Sequence, residues 1–172
     1  MRNITLRSSY KTLSVSEVQS MPNVSIRVKD EGGFWGHSTI NHDYNLKTIG
    51  GDVVVVDSAT GLMWHQSGSD DKKTWYEAKG WIKKLNKRGY AGYRDWRLPT
   101  LDEAVSLLES SRINGDLYID PVFSKKQTGI LTGDKFDGSE VAWLVFFDCG
   151  GVFGDYIVSY GYYYVRPVRS VE

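Results

Sequence analysis

The chain has 172 residues, and its 21 Lys+Arg balance its 21 Asp+Glu to a formal net charge of zero. Nucleic-acid binding draws on a basic excess that this composition lacks, which argues against DNA or RNA as the partner. With 6 Trp, 11 Tyr, 6 Phe and 18 Gly, the chain reads as a loop-rich, β-containing domain rather than a helical bundle.

Cys149 is the only cysteine, so neither an internal disulfide nor a multi-cysteine zinc site is expected. Residues 1–12 are polar and read as loose. No apolar run follows Arg2 and Arg7, so neither a signal peptide nor a membrane span is expected. As written, the sequence suggests a soluble cytoplasmic protein; surface exposure stays open if it belongs to a larger or processed one.

In chain order, Leu13–Ser20 has the makings of a short helix that Pro22 stops. Residues 23–51 read as a loop-rich lead-in, so residues 1–51 form an N-terminal arm and 52–172 the main domain. Val53–Val56 is a β-branched run, and Asp57–Gly61 a turn. Leu62–Gln66 then returns as the second strand of a hairpin.

A helix is predicted from Trp75 to Arg88. Thr74 and Glu77 form a capping box at its start, and Trp75, Ala78, Ile82 and Leu85 make its apolar face. Lys87 and Arg88 sit against the helix dipole, and Gly89 closes the helix. A second helix starts at Thr100 with Glu103 as the same device, burying Ala104, Leu107 and Leu108. The remainder reads as strands near 129–132, 141–147, 151–153, 156–160 and 163–168, separated by glycines. The order is that of an α+β domain.

Several segments resemble the Lcl C-terminal domain family, which is related to the formylglycine-generating fold. They are Val55-Val-Asp57, Thr60-Gly-Leu-Met-Trp64, Trp75, Ala78, Leu85-Asn86 and Gly92-Tyr-Arg-Asp-Trp-Arg-Leu-Pro-Thr100. Asp120-Pro-Val-Phe123, Trp143 and Tyr164-Val-Arg-Pro-Val-Arg169 complete the set. The resemblance implies a C-type lectin-like fold: two helices flanking a small twisted antiparallel sheet, with additional strands, long loops and termini that meet.

Proteins of this fold also resemble the variable proteins of diversity-generating retroelements, in which adenine-templated mutagenesis rewrites exposed positions near the C-terminus. Rewritten AAC-type codons cannot encode Lys, Glu, Gln, Met or Trp. None of these occurs from Leu144 to Val165. That segment supplies the candidate ligand-binding residues Phe146, Asp148, Phe153, Asp155, Tyr156, Ser159, Tyr160, Tyr162 and Tyr163. Exposed tyrosine offers large contact area at small entropic cost. The competing reading is core and cross-strand packing.

Other motifs favour structure over chemistry. Asp95, Arg94 and Arg97 around Trp96 read as ion pairs orienting the second helix, with Trp64, Trp75 and Trp143 as core. Asp57 or Asp95 are candidate partners for Arg166 and Arg169. His37, His42 and His65 are scattered, and no nucleophile-elbow, P-loop or G-x-G-x-x-G motif is present. The sugar-binding motifs of calcium-dependent lectins are missing, and the formylglycine-generating relatives use two cysteines where this chain has one. The expectation is a non-catalytic module, without metal or cofactor, that binds a protein or other macromolecule as a monomer or weak oligomer. A formylglycine-generating-type enzyme and a structural or adhesin domain are the alternatives.

Overall fold

A computed structural model describes residues 3–136, 140–156 and 162–171. Its elements in chain order are α1 (Val15–Val18), β1 (Val24–Asp30), β2 (Gly33–Ser38), β3 (Tyr44–Ile49), β4 (Asp52–Asp57) and β5 (Leu62–His65). There follow α2 (Trp75–Arg88), α3 (Leu101–Ser106), β6 (Gly129–Phe136), β7 (Val141–Phe146), β8 (Gly151–Tyr156) and β9 (Val168–Ser170). The strands form two antiparallel sheets, ordered β1-β2-β8-β7-β6 and β3-β4-β5-β9.

The helix starts follow their sequence signals. Ser14, Thr74 and Thr100 each cap a helix, with Glu17, Glu77 and Glu103 completing the reciprocal boxes. Gly89 ends α2 at φ 76°, a left-handed conformation that costs glycine little. Glu103, fully buried, does double duty: it accepts from the Thr100 N–H at 2.9 Å and holds Arg97 through both oxygens at 2.6 and 2.8 Å.

The main core lies between the sheets. From the five-stranded sheet it takes the cross-strand row Phe34, Val152, Val145 and Ile130. From the four-stranded sheet it takes Val55, Trp64 and Val168, which also sit opposite one another. Helix α3 adds Leu101, Ala104 and Val105. The apolar run of β4 is explained by burial on both faces. Val55 looks into this core, while Val54 packs on the far side with Met63, Leu85, Tyr90 and Trp96.

Residues 23–51, expected as a loop-rich lead-in, instead form three strands, and β2 pairs directly with β8. Val24–Asp30 and Gly33–Ser38 are a hairpin turning through Glu31 and Gly32. The expected strands at 151–153 and 156–160 begin as one strand, β8, with Gly154 inside it; residues 157–160 lie outside the described part. Residues 163–168 are not a continuous strand. Tyr163 and Tyr164 make isolated bridges, the Val165 N–H turns to Ser69 Oγ at 3.0 Å, and Pro167 has no N–H to offer a ladder. The described residues make the expected α+β arrangement with two antiparallel sheets and three helices, the first helix being the short one read within Leu13–Ser20.

Residues 3–12 are pinned rather than loose. Asp134, fully buried on β6, accepts from Arg7 at 2.9 and 2.6 Å and from the backbone N–H of Lys11 and Leu101 at 2.7 and 2.6 Å. Leu13 enters the core, and its carbonyl accepts from Trp143 Nε1 at 3.0 Å. The Ile4 N–H donates to Ala59 O and the Val171 N–H to Gly61 O, so both end segments meet at the β4–β5 turn.

Removing one partner of a buried, hydrogen-bonded charge costs several kcal/mol. Asp134→Ala leaves Arg7 with Asp102 as its remaining carboxylate partner and orphans the buried Leu101 N–H and the part-buried Lys11 N–H. Urea unfolding of this variant is expected to show a loss of about 3 kcal/mol or more, whereas Asp155→Ala, at an exposed position, changes stability by about 0.5 kcal/mol or less.

Candidate functional site

Period-2 alternation divides the side chains of the five-stranded sheet between two faces. The inward row is buried in the main core. On the outer face, one row reads Trp35, Gly151, Phe146, Gly129 across β2, β8, β7 and β6. The adjacent row reads Gly33, Phe153, Leu144, Leu131. Helix α2 covers one end of this face, packing Trp75, Ala78 and Ile82 on Leu131, Ala142 and Leu144. Trp35, Phe146 and Phe153 stay partly exposed.

Those three rings form a continuous aromatic row. Trp35 meets Phe153 edge-on with centroids 4.8 Å apart, and Phe153 lies 6.3 Å from Phe146. Two glycines make room for it. A Cβ on Gly151 would stand 2.3 Å from the Phe153 ring, and one on Gly129 would stand 2.9 Å from the Phe146 ring. The rings therefore lean over bare backbone instead of standing out from the sheet.

Asp155 lies on the same face at the far end of β8, where it accepts a hydrogen bond from the Tyr163 hydroxyl. Burial and the adjacent carboxylate both hold that phenol well above the usual tyrosine range. Tyr163 is fixed by paired backbone bonds to Lys73, each 2.8 Å.

The sequence-predicted residues thus fall into groups. Phe146, Phe153, Asp155 and Tyr163 share the outer face. Tyr156 faces the other way by alternation but lies at the strand end, 69% exposed, and Tyr162 is 58% exposed. Asp148 is exposed on the β7–β8 turn, at the opposite end of the hairpin from Asp155. Ser159 and Tyr160 lie outside the described residues. Sequence reasoning missed Trp35, because its segment was read as a lead-in. The hairpin signal was there: an extended run before and after Gly32-Gly33.

The tryptophan and ion-pair readings can be placed as well. Trp64, Trp75, Trp96 and Trp143 are all buried. Arg169 pairs with Asp95 at 2.7 Å. Arg166 does not reach Asp57. It is buried and donates to the His65 carbonyl at 3.1 Å and to the Gln66 carbonyl. Asp57 is engaged instead by His42 Nδ1 at 2.6 Å, Thr60 Oγ1 at 2.6 Å and the Asp43 N–H at 3.0 Å. Burial alone would raise its carboxyl, but these donors hold it below the usual range. His42 Nε2 is 2.6 Å from the Ser106 carbonyl, so this histidine is a strut between β4 and α3.

His65 lines a cavity of about 460 Å³ together with Trp81, Tyr90, Lys84 and Arg88. Its ring stacks on Tyr90 at 4.3 Å, and its Nδ1 accepts the Gly68 N–H at 2.9 Å, which requires that nitrogen to be unprotonated. Among the described residues, no group of three or more His, Cys, Asp or Glu side chains could hold a metal ion. No helix among them is long and apolar enough to cross a membrane.

Two antiparallel sheets with three helices, and no closed barrel among the described residues, make this an α+β protein. Within that class the chain belongs to the Lcl C-terminal domain family, whose model matches residues 53–169. The match starts in β4 and ends in β9, so β1, β2 and β3 precede it. No curated protein and no solved structure matches the chain.

Burial, reinforced by the Arg166 guanidinium, pushes the His65 imidazole down to about 4. An unfolded histidine titrates near 6.5, so the folded state prefers the neutral ring, and the stabilisation is complete above that pH. It is lost as pH falls toward the folded value, by up to about 3 kcal/mol. Urea midpoints measured between about pH 6.5 and 4.5 should fall steeply in the wild type and flatten in His65→Gln. An unchanged slope in the variant would assign the effect to another group.

Proposed function

We propose that this domain is a non-catalytic binding module on a C-type lectin-like scaffold. It recognises a protein or other macromolecular surface through the aromatic outer face of its five-stranded sheet. The observation that carries the reading is the partly exposed row of Trp35, Phe153 and Phe146, seated on glycines and left open by α2. Rigid aromatic area bordered by a carboxylate and tyrosines suits the desolvated centre of an interface. Asp155, Tyr162 and Tyr163 supply that border, with the exposed Tyr156 at the strand end beside it.

The finer reading is a variable protein of a diversity-generating retroelement. It is supported by the five residue types missing from Leu144–Val165, a segment that contains β8, the β7–β8 turn and the exposed Tyr162. The non-catalytic character is supported by the single cysteine, where the formylglycine-generating chemistry uses two.

A photo-crosslinking residue placed at Tyr162 is expected to capture a discrete partner from source-cell fractions, and Phe153→Ser in the same chain is expected to reduce capture at least about tenfold. The same residue at Tyr76, also exposed but on α2, is the control. Equal capture from both positions would overturn the binding face. Variability has its own test: a near-copy of the codons for residues 144–166, with adenines at the changing sites, beside a reverse-transcriptase gene. Without one, the retroelement reading fails and the binding face is unaffected.

A further inference from the structure

A second cavity, of about 420 Å³, lies at the β6 end of the same sheet, away from Trp35 and Phe153 on β2 and β8. Its size falls within the range of about 300–1,000 Å³ typical of small-molecule sites. The buried side chains Trp75, Ile82, Trp96 and Leu98 line it. Tyr10 from the N-terminal segment forms another wall. Its ring lies over Gly133, where a Cβ would stand 2.2 Å from it, and its hydroxyl donates to the Leu98 carbonyl at 2.7 Å.

Among the described residues, the cations at this cavity outnumber the carboxylates. Lys135 Nζ sits 3.5 Å from the centroid of the Trp75 ring, and Lys79 Nζ sits 4.9 Å from the same centroid. Among the described residues, neither ammonium has a carboxylate within salt-bridge distance. The third cation, Arg97, is already neutralised by Glu103. Burial, and then repulsion from Lys79, lowers the Lys135 ammonium below the usual lysine range. Attraction to the tryptophan face offsets only part of the cost of two like charges beside an apolar wall.

We propose that this cavity binds a monocarboxylate with a compact apolar body, the carboxylate bridging Lys79 and Lys135 and the body resting on Trp75, Ile82 and Leu98. The walls select against the other anions that two lysines attract. Inorganic phosphate gains nothing from apolar lining, and a sugar acid would leave its hydroxyl groups unpaired there. The site does not depend on the aromatic row and can fail or hold separately from it.

Calorimetric titration of the full chain with 2-naphthoate tests this. Saturable binding is expected with Kd below about 1 mM, and at least about tenfold weaker binding for 2-naphthylmethanol, which has the body without the charge, and for phosphate. Lys79→Gln/Lys135→Gln should weaken naphthoate at least about tenfold, Lys79→Arg/Lys135→Arg should hold it within about threefold, and Phe153→Ser should leave it unchanged. Thermal melts of the lysine variants, altered at the exposed Lys79 and the half-buried Lys135, verify that they fold. A short peptide ending in a free phenylalanine carboxylate, compared with its amide, separates a polypeptide C-terminus from a free acid as the source. Equal affinity for naphthoate and naphthylmethanol, or no loss in the double glutamine variant, would overturn the proposal, as would no saturable binding at all.

Discussion

The register of β8 between β2 and β7 is the constraint on which the rest of the structure depends. It sets Val152 opposite Phe34 and Val145 on the inside, and Gly151 opposite Trp35 and Phe146 on the outside. A slip of one residue would send Val152 outward and press Phe153 into a core that has no space for it. Close backbone approach reinforces the pairing: a Cβ at Gly33 would stand 1.8 Å from the Val152 carbonyl oxygen. Gly33 permits this approach, while Gly151 and Gly129 let the outer rings lie over the backbone. Glycines along the same pairing therefore close the sheet and shape its face.

The zero net charge conceals a sharp partition. Several charged groups are buried, and each has a structural task. Asp134 ties the N-terminal segment to α3 and β6, Glu103 caps α3 while holding Arg97, and Asp57 anchors His42. Arg166 is the exception in kind. Its guanidinium is fully buried, lies 4.9 Å from the Phe123 ring centre, and rests on backbone carbonyls instead of a carboxylate. Burial lowers it to about 9. Its carbonyl partners, His65 and Gln66, lead into the turn that brings Gly68 back to His65, so charge and turn hold the same corner.

Local signals in the sequence carried the helices and the β4–β5 hairpin, because capping boxes, a closing glycine and a β-branched run act over a few residues. Long-range pairing was beyond them. Nothing local to Gly33–Ser38 says that its partner is β8, over a hundred residues away, so Trp35 was missed. Nor does composition show that Arg7 and Lys11, near the N-terminus, converge on Asp134 more than 120 residues further along the chain. The aromatic character of the last strands was legible. Which rings turn outward depended on a register that the sequence alone did not fix.

The same register separates the residues that stabilise the domain from those open to change. Phe34, Trp143, Val145, Phe147 and Val152 are fully buried, whereas the outer positions at Phe146, Phe153 and Asp155 keep contact with solvent. Large losses of stability come from buried volume and buried charge, and half-exposed strand positions contribute less. The outer face can accordingly change chemistry while the inner row holds the fold, provided that Gly129 and Gly151 stay small. Those two glycines are under a steric limit, and the side chains resting on them are not. On the binding reading, that asymmetry makes the aromatic face adjustable, and specificity resides in the rings and their border while the backbone beneath stays fixed.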